Sequence, residues 1–146
     1  MVPAISYAEI KKRVSQYKKS ARAVAIILAK PQVPMVRDDI IVELNYYNNR
    51  SSDYIDFFLP GYSLFGHNQC GDEKEVGEIE GVRIFYSDRL FCKVVEEIEN
   101  ASSWKYSGQT EILLVNTSDG NLDYSTCMVI HLEKMNKISA STTIRE

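Results

Sequence analysis

The chain predicts an α+β fold, an antiparallel or mixed sheet of about five strands with two main helices packed on it. Three observations carry that expectation. Two stretches, from Tyr7 to Leu28 and from Leu90 to Ala101, repeat apolar residues at the three-and-four spacing of an amphipathic helix. A pair of apolar runs brackets a turn at Asn48–Ser52, and a second pair brackets one at Ser118–Asn121. With 146 residues, 45% of them hydrophobic and 25% charged, the chain has the size and composition of one folded domain. Residues 1–133 are expected to form it, with 134–146 a polar tail or the start of a linker.

The first helix has the clearest start. Ser6-Tyr7-Ala8-Glu9 is a capping box, and Ile5 and Ile10 occupy the positions of a hydrophobic staple. Tyr7, Ile10, Val14, Tyr17, Ala21, Val24 and Leu28 then form one stripe, which predicts a helix running on to Pro31. A competing reading ends it near Ser20 and makes Ala23–Ala29 a buried strand; the continuous spacing favours the helix. Asp39–Tyr47 and Asp53–Leu59 follow as strands of a first hairpin, rich in β-branched and aromatic residues.

Residues 60–81 hold five glycines and the acids Asp72, Glu73, Glu75, Glu78 and Glu80, the pattern of an irregular functional or mobile loop. Within it Val76–Ile79 is able to pair with Val82–Tyr86 through Glu80-Gly81. Ser87 caps the second helix, which turns Leu90, Phe91, Val94, Val95, Ile98 and Ala101 to one side and Lys93, Glu96, Glu97 and Glu99 to the other. The strand–helix–strand stretch 82–115 has the length of a parallel crossover. Glu111–Val115 and Thr126–Leu132 complete the second hairpin.

Charge is distributed unevenly. Residues 1–30 carry seven cations against Glu9 alone, a net +6, which leaves −9 on the remainder of a chain whose total is −3. The plainer interpretation is a solvated basic helix face beside an acidic body. A pI near 5.5 argues against nucleic acid as a partner. The longest apolar run, Ala23–Ala29, is far short of the ~20 residues a membrane span needs, and the alanine-rich stripe of the first helix suits a membrane surface poorly. The N-terminal residues lack the pattern of a secretion signal, and three scattered cysteines make no disulfide framework, so a cytoplasmic location is expected.

Catalytic chemistry finds little purchase. His131 reads as a core or sheet-face histidine. His67 and Cys70 have the two-residue gap of some zinc sites but lack a second pair, so no metal and no cofactor is expected. Cys92 sits one turn into its helix, where a thiol pKa can fall, yet has no resolving cysteine at CxxC spacing.

The aromatics are denser, with seven between Tyr46 and Phe65 and with Trp104 and Tyr106 after the second helix. Tyrosine and tryptophan dominate interface hot spots. The leading expectation is therefore a non-catalytic protein-interaction module, a small acidic inhibitor, immunity-type or regulatory protein. Its partner surface would be drawn from Tyr47, Tyr54, Tyr62, Asp72, Glu73, Glu75 and Trp104. A protein partner is expected, and homo-oligomerisation is left open. One alternative is a small enzyme or ligand-binding domain built around the 60–81 loop, with His67, Cys70, Asp56 and Trp104 as first candidates. Another is one domain of a larger protein.

Overall fold

The computed structural model describes residues 2–4, 6–17, 23–34, 36–37, 55–64, 71–79 and 81–132. In chain order its elements are β1 (Val2–Ala4), α1 (Tyr7–Ser15), β2 (Ala23–Leu28), β3 (Ile55–Pro60), β4 (Tyr62–Ser63), β5 (Lys74–Ile79), β6 (Val82–Tyr86), α2 (Asp88–Ala101), β7 (Glu111–Ser118) and β8 (Asn121–His131). The α+β class holds. The single sheet of about five strands does not: a five-stranded sheet, β1-β3-β2-β7-β8, lies beside a three-stranded one, β4-β6-β5. The small sheet grows out of the glycine-rich segment, where β5 and β6 form the short hairpin expected there and β4 adds to the other side of β6.

The large sheet is mixed. β3 runs parallel to both β1 and β2, while β7 is antiparallel to β2 and β8 to β7. The hairpin expected between 39–47 and 53–59 has its first strand and its turn outside the described residues. Its second strand is β3, which has a parallel neighbour on each side.

The first helix is shorter than its apolar spacing predicts. Ser6 caps it, its hydroxyl accepting from the Glu9 amide at 3.2 Å, but it ends at Ser15. Residues 23–28 are strand, the reading the spacing disfavoured. The reason is physical. Every residue from Ala23 to Ala29 is apolar, so any period fits that stretch, and Val24 to Ala29 are fully buried. A helix packed on a sheet keeps a wet side, whereas a central strand is covered on both faces.

α2 matches expectation, capped by Ser87 and burying Leu90, Phe91, Val94, Val95 and Ile98. The parallel crossover expected across 82–115 is not formed, because β6 and β7 belong to different sheets.

Alternation along the strands assigns the two faces of the large sheet. Val24, Asp56 and Val115 are cross-strand neighbours on the face that α1 covers; there the Tyr17 hydroxyl donates to the Asp56 carboxylate and Arg13 Nε approaches it at 3.5 Å. Phe57, Ala25, Leu114 and Met128 form a row across the opposite face. A chain of tilted and edge-on rings (Tyr62, Tyr86, Phe91, Tyr106, Trp104) with centroids 4.9–6.1 Å apart ties the small sheet to α2.

Candidate functional site

The β7–β8 hairpin is the element that shapes the surface. Asp119 and Gly120 both have positive φ, 51° and 77°, the two-residue turn whose twist matches that of the strands it joins. Gly120 also rests on the end of α1. A Cβ there would stand 3.3 Å from both Cα and the carbonyl oxygen of Ser15, so glycine lets the hairpin tip dock on the helix. Pairing then slips: Leu114 opposes Met128, but Asn116 opposes Asp123, two steps along β7 against five along β8. Such a bulge re-aims side chains. Tyr124 lies in it, and its hydroxyl meets that of Tyr7 at 2.8 Å.

Two surface features result. The first is a groove of about 560 Å3 between α1 and the hairpin, lined among others by Tyr7, Lys11, Lys12, Asn121, Leu122 and Tyr124. The second is the edge of β8. Among the described residues this strand pairs on one side only. Its regular stretch, Met128–His131, has no proline and no lysine or carboxylate, and Met128 is 59% exposed. No other large hydrophobic among the described residues is comparably open.

Of the residues expected to form a partner surface, Tyr62, Asp72, Glu73, Glu75 and Trp104 lie among the described residues. Tyr47 and Tyr54, like His67 and Cys70, lie outside the described residues. Tyr62 is a core residue with no exposed surface, and its hydroxyl donates to the Ala29 carbonyl at 2.7 Å. Burial holds that phenol far above its ordinary pKa. Trp104 is 6% exposed, at the end of the ring chain. Both rings are thus placed in the core rather than on an exposed surface, where they stack in the chain that joins the small sheet to α2. Glu75 stays exposed, 3.7 Å from Arg83, and Glu73 is half-buried.

Asp72 turns to the start of α2. Its carboxylate accepts from the Ser87 hydroxyl at 2.6 Å and from the Arg89 amide at 3.1 Å, while Ser87 itself accepts from the Leu90 amide at 3.2 Å. The first turn of α2 is thus capped twice. The Ser87 hydrogen bond, aided by the Arg89 amide, holds the Asp72 carboxyl below its ordinary value. A group depressed on folding contributes stability above its unfolded pKa and loses it as pH falls through the folded value. Asp72→Ala is therefore expected to cost about 1 kcal/mol at neutral pH. The gap between wild type and variant in chemical denaturation should narrow as pH falls below the ordinary carboxylate range. A gap undiminished in acid would show that the carboxylate charge plays no part in the cap.

The remaining chemistry-bearing groups are held structurally. Asp56, 3% exposed, is occupied by Tyr17 and Arg13. Burial and the Asp88 carboxylate push the Cys92 thiol upward, the opposite of what its helix position alone predicts. Asp88 itself takes the Tyr86 hydroxyl at 3.0 Å and Lys30 at 3.5 Å. Glu111, 1% exposed, accepts from the Ser107 amide and hydroxyl and faces His131 Nδ1 at 3.6 Å, which leaves that histidine half-buried at the sheet edge. Among the described residues no cluster of three or more His, Cys, Asp or Glu is placed to hold a metal, and no helix is long and apolar enough to cross a membrane.

Sequence reasoning passed over both surface features. The Asp119-Gly120 turn was legible, but the docking of its tip on α1 and the slip in register were not. No family model, curated protein or solved structure matches the chain.

Proposed function

We propose that the chain is a non-catalytic protein-interaction module of inhibitor, immunity-type or regulatory character, and that its partner adds an extended segment to the edge of β8. The observation that carries this reading is that, among the described residues, β8 pairs on one side only. Strands at the edge of a sheet present unpaired N–H and C=O groups, and proteins that do not use them blunt them with lysine, proline or covering chain. The stretch Met128–His131 carries neither lysine nor proline. An added strand would take its affinity from main-chain hydrogen bonds and its selectivity from side chains at alternate positions. Met128 supplies an adaptable apolar contact of the kind favoured at binding surfaces, and it continues the apolar row through Leu114 and Ala25 to Phe57.

Met128→Lys tests the reading, because it places a defending charge on the edge at an exposed position where folding stability should change by less than about 0.5 kcal/mol. Tagged wild type, Met128→Leu and Met128→Lys are to be used for affinity capture from the native cells, followed by mass spectrometry. A stoichiometric protein kept by wild type and Met128→Leu and lost by Met128→Lys is the expected result. A partner retained equally by all three would remove the β8 edge from the interface. A doubled mass by light scattering, lost in Met128→Lys, would identify the added strand as β8 of a second copy.

A further inference from the structure

The groove at the other end of β8 has chemistry of its own. Its volume of about 560 Å3 lies within the ~300–1,000 Å3 of small-molecule sites. Lys11 and Lys12 line it from the exposed side of α1, with Ala101 and Leu122 as accessible apolar wall. Their charge is not consumed by an ion pair in the structure: Lys11 Nζ lies 5.0 Å over the Tyr7 ring, and no carboxylate pairs with either lysine among the described residues. Glu97 opposes them in part, acting on the Tyr7 hydroxyl from α2.

The two phenols add a directional donor. A pair of hydroxyls holds two protons and uses one between them, so the Tyr7–Tyr124 pair keeps one O–H for an outside acceptor. Burial raises both phenols above their ordinary pKa, which keeps both protonated at neutral pH. Asn121 spends one amide hydrogen on the Asp119 carbonyl at 3.2 Å and retains a second. Ser15 lines the groove too, but its hydroxyl is committed to the Lys12 carbonyl at 2.6 Å. The uncommitted donors that line the groove thus include two ammonium groups, one phenol O–H and one amide N–H.

We propose that this groove binds a small organic anion, with a carboxylate or phosphoryl head on Lys11, Lys12 and the Tyr7–Tyr124 hydroxyl pair and an apolar body against Ala101 and Leu122. The site is independent of the β8 edge beyond Met128, and occupancy of one does not require the other.

The test is a two-dimensional amide NMR titration of the full chain with phenyl phosphate, with benzoate, and with benzylamine as a cation carrying a similar apolar body. Saturable shifts confined to residues 7–15 and 120–124 are expected from at least one of the two anions and none from benzylamine. Comparing the two anions assigns the head group. The Lys11→Gln/Lys12→Gln double variant, altered only at exposed positions, should keep the wild-type spectrum elsewhere and bind about tenfold more weakly, as loss of about 1.4 kcal/mol implies. Tyr124→Phe, which removes one hydroxyl of the pair, should weaken binding by about fivefold. Absence of saturable shifts from both anions, equal binding of benzylamine, or unchanged affinity in the double lysine variant would each overturn the proposal.

Discussion

Tyr62→Ala is expected to cost about 3–5 kcal/mol of folding stability, the range for emptying a large buried aromatic site. The ring has no exposed surface and packs 4.9 Å from that of Tyr86. Its hydroxyl is the hydrogen-bond donor that reaches the Ala29 carbonyl at the exit of β2, so the residue fastens the small sheet to the large one. Two losses therefore coincide: a cavity in the ring chain and a buried carbonyl without its donor. Tyr62→Phe separates them. It keeps the ring and should cost about 1–3 kcal/mol, the penalty of leaving the buried carbonyl unsatisfied. Urea denaturation of both variants measures the split. If Tyr62→Ala left stability within about 0.5 kcal/mol of wild type and weakened a partner complex instead, Tyr62 would be a surface residue after all.

Gly61→Ala should be destabilising by a similar amount, about 2–5 kcal/mol, from two sources. Gly61 has φ of +86°, where an L side chain is strained. The space is also occupied: a Cβ would stand 2.9 Å from Phe91 Cβ, 3.1 Å from the Ser87 carbonyl oxygen and 3.1 Å from the Tyr86 ring. Neither the Cβ of a buried helical residue nor a main-chain oxygen is able to swing aside. Gly61 is moreover tied to that neighbourhood, its carbonyl accepting from the Ser87 amide at 2.9 Å. Substitution would push α2 away from the end of β3. Gly81→Ala is the matched control, since Gly81 has φ of +82° but open space at the Cβ position, and it should cost only the backbone part, about 1–2 kcal/mol. Equal losses at the two glycines would show that the close approach at Gly61 contributes nothing.

Features whose cause is local were legible in the chain. The capping residues Ser6 and Ser87 act within three residues of themselves, and both start the helices expected of them. The apolar stripe of α2 needs only its own 3.6-residue period. Asp119-Gly120 specifies a two-residue turn because that turn requires positive φ twice. Where local signals were ambiguous, tertiary structure decided. Ala23–Leu28 satisfied helix and strand periods alike, and became strand because the centre of a sheet buries both faces of a short apolar run.

The candidate surfaces lay further from the sequence. Aromatic density between Tyr46 and Phe65 reads as an interface when taken alone. Tyr62 instead became core, because joining two sheets and a helix requires bulk at their junction. Asp72 read as part of a partner surface, and is a helix cap only because the fold brings it to a helix start fifteen positions away. The groove depends on Gly120 reaching the end of α1 and on a slip in the β8 register, two contacts between segments more than a hundred residues apart. By itself, then, the sequence determined the helix starts, the second hairpin and the α+β class, since each follows from propensity and period over a few neighbouring residues. Only the tertiary structure decided which of the described aromatics are buried, how the described strands divide into two sheets, and where, among the described residues, a strand paired on one side and a lysine-lined groove lie, because those depend on which distant faces meet.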